Sequence, residues 1–297
     1  MRGLKLRDAR AEDRRAVLDF CRHTWPEYGD YIPRIWRDWL RDPGGRFIIA
    51  ELEGRPVGLA KVTEFSKGEV WLEGLRVDRE YRNRGIARAL NLEALQTVRR
   101  MRPRVVRFCT GSDNTVSRRM AEKSGFRLAA RLRYYWAKSR KARVRGEFAC
   151  RGDIEALDEF ILKSRFLKRT SGLIAEGWVF REYNRPLLAR YIREHRALVI
   201  RRSGVIAGAA LFPYEVNDRA LTLGFVDGDD RFIGILARDC MYLARMQGLT
   251  HCSVSVPARG FAPIVEKAGF GRRASTGQVV YELKGDALES RFRKHRR

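Results

Sequence analysis

The chain has 297 residues, 44% of them hydrophobic, and carries 61 Lys and Arg against 36 Asp and Glu, a formal net charge of +25. This length and apolar fraction suit two domains with substantial cores. No apolar run reaches the roughly 18–20 residues of a helical membrane span, which excludes that class. Met1-Arg-Gly-Leu-Lys-Leu-Arg7 has no apolar block or cleavage site and reads as a strand rather than a leader. The five cysteines (Cys21, Cys109, Cys150, Cys240 and Cys252) are odd in number and form no C-x-x-C pair, so a reduced, cytoplasmic protein is expected. His23, His195, His251 and His295 lack metal-ligand spacing, so no metal is expected. The positive excess has three readings: attraction of RNA or DNA, capture of a smaller multiply charged anion, or a general Arg-rich surface composition.

In chain order, Leu4–Arg7 reads as a strand and Ala11–Thr24 as a helix, with Ala16, Val17, Phe20 and Cys21 at helical spacing. Arg34–Leu40 is a second helix. Trp36 and Trp39 at i, i+3 form an apolar face that packs on the core or lines a site. Strands follow at Arg46–Leu52, Val57–Phe65 and Glu69–Val77, turned at Glu53-Gly54 and Lys67-Gly68. Ile86–Arg100 is a helix and Val105–Thr110 a strand. Thr115–Ser124 is a short helix closed by Gly125, and Leu128–Trp136 is a last strand.

The most informative segment is Val77-Asp-Arg-Glu-Tyr-Arg82-Asn-Arg-Gly85-Ile-Ala87-Arg-Ala-Leu90. A strand enters a glycine-containing turn that opens a helix. The first N–H groups of that helix have no intrahelical acceptor, and its positive end faces the turn, so the segment suits a pyrophosphate. Gly85 permits close approach of the backbone and Ala87 keeps the next turn small. The R-x-x-G-x-A spacing is neither a Walker loop nor the dinucleotide G-x-G-x-x-G.

With Glu73-Gly-Leu-Arg-Val77 upstream, and Asn114 eleven residues before Gly125-Phe126, the first half resembles the GNAT acetyltransferases. The resemblance implies an α/β (α+β) fold, acetyl-CoA as cosubstrate, and transfer of acetyl to an amine. On it, the backbone of Leu75, Arg76 and Val77 holds the pantetheine and thioester. Arg82, Asn83, Arg84, Gly85, Ile86, Ala87 and Arg88 cradle the phosphates, and Asn114 bonds the pantetheine amide. Glu73 is the candidate general base or, paired with a nearby Arg, the group that orients the substrate. The tyrosine that many members place four residues before Gly-Phe is Ala121 here, so Tyr134 or Tyr135 is the candidate acid. Trp25, Glu27, Tyr28, Asp30 and Tyr31 fall in the region that lines the acceptor site, where carboxylates and aromatic faces suit an ammonium. This region also resembles the histidine N-acetyltransferase-like branch, which hints at a free amino acid or related small amine. Nucleic acid stays open as a partner on charge alone, and no membrane partner is expected.

The second half echoes the first. Glu53-Gly54 and Gly58 parallel Ser203-Gly204 and Gly208; Lys123-Ser-Gly125-Phe126 parallels Lys267-Ala-Gly269-Phe270; Asp13 parallels Asp153. Two tandem domains are expected. Each has a mixed, mostly antiparallel central sheet with a splayed strand pair, flanked by helices. The working copy is placed at 1–141 and a degenerate copy at 142–297. In the second copy Arg231, Gly234 and Leu236 stand for Arg82, Gly85 and Ala87, and Asp227-Gly-Asp-Asp230 sets three carboxylates where phosphates would lie. Like charges at that separation repel by roughly 1–3 kcal/mol, so this copy is not expected to hold CoA. The basic tail Arg291–Arg297 reads as solvated or as a nucleic-acid contact.

Overall fold

The computed structural model describes residues 3–24, 29–213 and 220–294. The elements in order are β1 (Leu4–Asp8), α1 (Arg14–Cys21), α2 (Ile32–Arg41), β2 (Arg46–Leu52), β3 (Arg55–Ser66), β4 (Glu69–Val77), α3 (Ile86–Arg100), β5 (Val105–Gly111), α4 (Thr115–Lys123), β6 (Arg127–Lys138) and β7 (Glu147–Phe148). They continue with α5 (Ile154–Lys163), α6 (Arg165–Arg169), β8 (Leu173–Glu176), β9 (Val179–Glu182), α7 (Arg185–Arg193), β10 (Ala197–Arg202), β11 (Val205–Leu211), β12 (Ala220–Leu223) and β13 (Phe225–Gly228). The last are α8 (Asp230–Met246), β14 (His251–Val256), α9 (Ala258–Lys267), β15 (Gly271–Lys284) and α10 (Gly285–Lys294).

Two compact units form, and they are interleaved in sequence rather than divided at one joint near residue 142. The first holds Met1–Phe108, Arg119–Arg127 and Tyr281–Arg297; the second holds Cys109–Arg118 and Leu128–Val280. Strand pairing is the reason. In the first unit the sheet runs β1-β2-β3-β4-β5 and is completed by the C-terminal end of β15. The strand that follows α4, β6, pairs instead with β14 in the second unit. The first half of the sequence thus gives its last strand to the second unit, and the second half returns only the end of β15, with α10, to the first.

Local chemistry explains the first unit's hairpins. Glu53 and Gly54 take φ of 51° and 80°, the pair of left-handed residues that a tight β2–β3 turn requires. Ser203 and Gly204 repeat this between β10 and β11 at 51° and 78°. The entry to each half is also built alike. The Asp13 carboxylate accepts from Arg10 N at 2.8 Å and pairs with Arg7 at 2.7 Å; that of Asp153 accepts from Cys150 N at 2.9 Å and pairs with Arg201 at 2.6 Å.

The core between the sheet and α1–α2 holds Val17, Phe20, Ile32, Ile35, Trp36, Trp39, Phe47 and Leu59. Trp36 and Trp39 meet Phe47 edge-on at 4.9 and 5.1 Å, so their spacing is a core-packing face. α3 buries Ile86, Leu90, Leu95 and Val98.

The C-terminal residues through Lys294 are helix rather than solvated tail. Leu288 is fully buried, Arg99 pairs with Glu289 at 3.0 Å, and Arg291 donates to the Lys123 carbonyl at 2.8 Å.

Candidate functional site

The site is built on a fault in β4. Lys61 pairs with Glu73 across the β3–β4 ladder, but the next pair is Leu59 with Arg76. Gly74 and Leu75 therefore stand opposite Ala60 alone, a β-bulge that re-aims the strand. Gly74 takes φ of 72°, and a Cβ there would overlap the Trp39 ring. Gly74→Ala is expected to cost about 2–4 kcal/mol of stability from left-handed strain and overpacking combined. Chemical denaturation measures it, and an unchanged midpoint would refute it.

Beyond the bulge the sheet opens. β4 and β5 pair in parallel at Glu69, Val70 and Trp71, and that ladder ends there. From Leu72 to Val77 the β5-facing edge of β4 has no β5 partner, so backbone donors at Leu75, Arg76 and Val77 border an open splay.

β4 then runs into the glycine turn. Asp78, nearly buried, accepts from Glu80 N at 3.2 Å and starts one tight helical turn. Asn83 and Gly85 take φ of 60° and 81°, and Gly85 is the residue preceding α3. No side chain caps α3, so the N–H groups of Ile86, Ala87 and Arg88 are left to the space ahead. A Cβ at Gly85 would meet nothing within 4 Å. Arg82, Asn83, Arg84 and Arg88 are exposed around this opening, whereas Ile86 is buried and anchors the helix. Arg84 lies over the Tyr81 ring at 5.1 Å and Arg82 Nε donates to the Val77 carbonyl at 3.3 Å.

Glu73 sits half-buried on β4 just before the bulge and accepts from Thr63 Oγ1 at 3.0 Å. Burial pushes its carboxyl up to about 7; the Thr63 hydrogen bond and the Lys61 charge pull it back, and Asp42 pushes it up further. Lys61 has a side chain at 0% exposure, ion-paired with Asp42 and donating to the Val62 carbonyl at 2.6 Å. Beside them Arg76 pairs with Asp30 at 3.0 Å and lies over the Tyr31 ring at 5.4 Å. The Asp30 side chain is 1% exposed and also accepts from Ile32 N at 3.1 Å, so it fixes Arg76 rather than facing solvent. Burial holds the Tyr31 hydroxyl well above its usual range, hence neutral.

The other expected residues fall outside the described part of the first unit. Trp25, Glu27 and Tyr28 fall outside the described residues. Asn114 belongs to the second unit, where its Oδ1 accepts from Ser117 N at 3.0 Å and caps α4. Tyr134 and Tyr135 also belong to the second unit. Tyr135 donates to Glu266 at 2.8 Å, and the Tyr134 ring packs on Trp136 and Trp178 at 5.8 and 5.7 Å. In the first unit Ala121 is buried on α4, and the tyrosine beside that helix is Tyr281. It stacks on Phe108 at 5.5 Å and donates to Glu122 at 3.1 Å. Lys61, Asp42 and Thr63 had no sequence signal of their own, because the register across the bulge is what gathers them.

The second unit lacks this arrangement. Gly224 divides β12 from β13 as Gly74 breaks β4, but its carbonyl accepts from Ala175 N of β8 at 3.2 Å, and a Cβ there would overlap the Ala175 carbonyl. A single residue, Asp229, separates β13 from α8, against eight between β4 and α3. Arg231, Gly234 and Leu236 therefore lie inside α8 and not at a turn, which corrects the parallel drawn from spacing: the turn is shorter and the helix starts earlier. Asp227, 3% exposed, accepts from Phe166 N and Gly228 N at 2.8 Å each and so occupies the donors at this strand end.

The first unit thus presents a half-buried proton acceptor, an open strand edge and an uncapped helix start on one strand–turn–helix segment, a site shaped for an extended, phosphate-bearing ligand. Residues 9–126 match the model of the acetyltransferase (GNAT) family. They are a domain of that family. A stretch of 77 residues is 38% identical to human "Probable N-acetyltransferase 16", covering 26% of this chain and 21% of that protein. The chain thus spans about a fifth of the length of that curated relative. In fold, the chain is similar to a GCN5-related N-acetyltransferase from Sphaerobacter thermophilus, at 14% identity and a TM-score of 0.69 over 96% of both chains. It is also similar to a tandem GNAT protein from the clavulanic acid biosynthesis pathway, at 15% identity and a TM-score of 0.55 over 95% of this chain and 98% of that one. The fold is accordingly α/β with two tandem GNAT-like domains.

Proposed function

We propose that the first unit is an acetyl-CoA-dependent N-acetyltransferase acting on the primary amine of a small molecule, a free amino acid or a related amine. The observation that carries this reading is Glu73, a carboxylate with a raised proton affinity on the strand that ends in the glycine turn. Acetyl-CoA supplies an activated thioester. The backbone of Leu75, Arg76 and Val77 would hold its pantetheine arm, and the N–H groups from Arg82 to Arg88 its phosphates. The open space beside Gly85, where a Cβ would meet nothing within 4 Å, supports close approach of a phosphate to this backbone. Glu73 would take the proton of the substrate ammonium and leave a neutral amine to attack the acetyl carbonyl. The departing thiolate, from a thiol of ordinary pKa near 8–9, would take its proton from a tyrosine acid or from water. Asn114 stays a proposed pantetheine contact, and Tyr134 or Tyr135 a proposed acid. Trp25, Glu27, Tyr28 and Tyr31 are proposed to line the acceptor side, and Asp30 to act there through Arg76.

The filled, short turn of the second unit supports a structural role for that copy, without CoA. Among the described residues no helix is long and apolar enough to cross a membrane, and all five cysteines are free thiols, which supports a reducing, cytoplasmic setting. The charge of +25 supports a second reading, acetylation of a protein or RNA or plain nucleic-acid binding.

Calorimetry with acetyl-CoA is expected to give one site per chain. Gly85→Asp puts a strained, anionic side chain among the phosphates and should abolish binding; two sites of similar affinity would overturn the assignment. Turnover screened over amino acids, polyamines, peptides and tRNA identifies the acceptor. Preference for tRNA or peptides would replace the small-amine reading.

A further inference from the structure

Lys61 is an unusual residue to find fully enclosed. Burying an ammonium costs several kcal/mol unless its charge and protons are satisfied, and a packing role alone is served as well by Met or Leu. Here two acceptors are built for it. Asp42 follows α2 directly, and its other oxygen is fixed by Gly44 N at 3.0 Å. The Val62 carbonyl takes a second proton at 2.6 Å. Gly45 closes over the pair: a Cβ on it would collide with Lys61 Nζ, Asp42 Oδ2 and the Val62 carbonyl together. The loop Asp42-Pro-Gly-Gly45 is therefore shaped around this ion pair.

The pair's position gives it a use. Lys61 is the direct ladder partner of Glu73, so its stem starts beside that carboxylate on the neighbouring strand. The groups that face Glu73 are Lys61 and Thr63 from β3, Asp42 from the loop after α2, Arg76 from β4 itself, and Tyr31 from the segment before α2. Arg76, paired with the buried Asp30 at 3.0 Å, also favours the Glu73 carboxylate, and Tyr31 is neutral. The Asp42–Lys61 pair is the charged device contributed by the facing strand and loop.

We propose that the enclosed Asp42–Lys61 ion pair is a positioning element for Glu73, whose fixed ammonium, shared with Asp42, helps to set how readily Glu73 takes and releases a proton. Lys61 and Asp42 act on Glu73 in opposite directions, and burial alone, acting first on both Lys61 and Glu73, favours their neutral forms. The inference deepens the proposed acetyl transfer and rests on Glu73 being its base, but its test does not need an acceptor.

Carbon-13 NMR titration of the glutamate carboxyls, with Glu73 assigned by its loss in Glu73→Gln, reads the midpoint directly. Lys61→Met is expected to raise that midpoint by about one pH unit or more, the usual effect of losing an opposite charge at this range. The double variant Asp42→Asn/Lys61→Met leaves no charge stranded, and so carries the test should the single variant not fold. It should raise the midpoint by less than Lys61→Met, because the opposing carboxylate is gone too. Midpoints within 0.3 unit of wild type in the folded variants, on the order of 0.4 kcal/mol, would overturn the proposal. Should the midpoints move as expected while Glu73→Gln keeps full turnover, the tuning stands and only the assignment of Glu73 as base fails.

Discussion

Glu73→Gln is expected to lower kcat/KM by about 10²-fold or more while leaving acetyl-CoA affinity near wild type. General-base contributions are of this size, and the groups proposed to hold CoA are backbone atoms of β4, the turn and α3. In the wild type, Glu73 is ionised, and so able to accept a proton, only above its folded value of about 7. The rate should accordingly fall on the acid side with a midpoint near there, and the variant should lose that limb. Stability moves the opposite way. A carboxyl raised from its unfolded value favours the folded chain while protonated. That contribution is complete below about 4.5 and is lost as pH rises through about 7. Glutamine mimics the protonated form, keeps a hydrogen bond to Thr63, and should stabilise the protein at pH 8 but not at pH 4.5, by at most about 3 kcal/mol. Turnover kept near wild type across pH 6–9 would show that Glu73 is structural.

That trade of stability for a poised carboxylate was partly legible in the sequence. Glu73-Gly-Leu-Arg-Val77, the glycine turn and the Ile86–Arg100 helix are local patterns, and local patterns fix local geometry. Glu53-Gly54 and Ser203-Gly204 are turn residues whose left-handed φ values follow from their chemistry. What could not be read depends on register and on distant pairing. The meeting of Lys61 with Glu73 follows from which residues oppose each other beside the Gly74 bulge, and a slip of one place would send Lys61 to the other face. The Arg231–Leu236 parallel kept its spacing while the turn around it was lost, because spacing does not record where a helix begins. The pairing of β6 with β14 joins residues more than 110 positions apart, and Arg107 meets Glu282 across 175 positions, separations for which there is no local signal.

Ending the chain after Val280 should therefore disable the first unit, although the cut lies far from its glycine turn in sequence. The lost segment carries Tyr281, Leu283 and Leu288, each at 3% exposure or less. Burial of such side chains contributes about 1.5–3 kcal/mol each. It also carries Glu282, which pairs with Arg107 Nε at 2.8 Å; Arg107 is 3% exposed and pairs with Glu69 at 2.9 Å on its other side. Taking a partner from a buried ion pair costs about 3–5 kcal/mol. Together these losses reach the roughly 5–15 kcal/mol that holds a typical domain folded. The truncated chain should lose acetyl-CoA binding and show a shallower denaturant transition as the first unit drops out of cooperative unfolding. For the same reason a fragment of residues 1–141 should not fold alone: it lacks the strand that completes its sheet, and it ends in β6, which pairs elsewhere. Glu282→Gln, which keeps the shape and one hydrogen bond, should cost much less than truncation and retain binding. If the truncated protein binds acetyl-CoA with unchanged affinity and unfolds with the wild-type slope, the exchanged strand is dispensable and the first half stands as an independent domain.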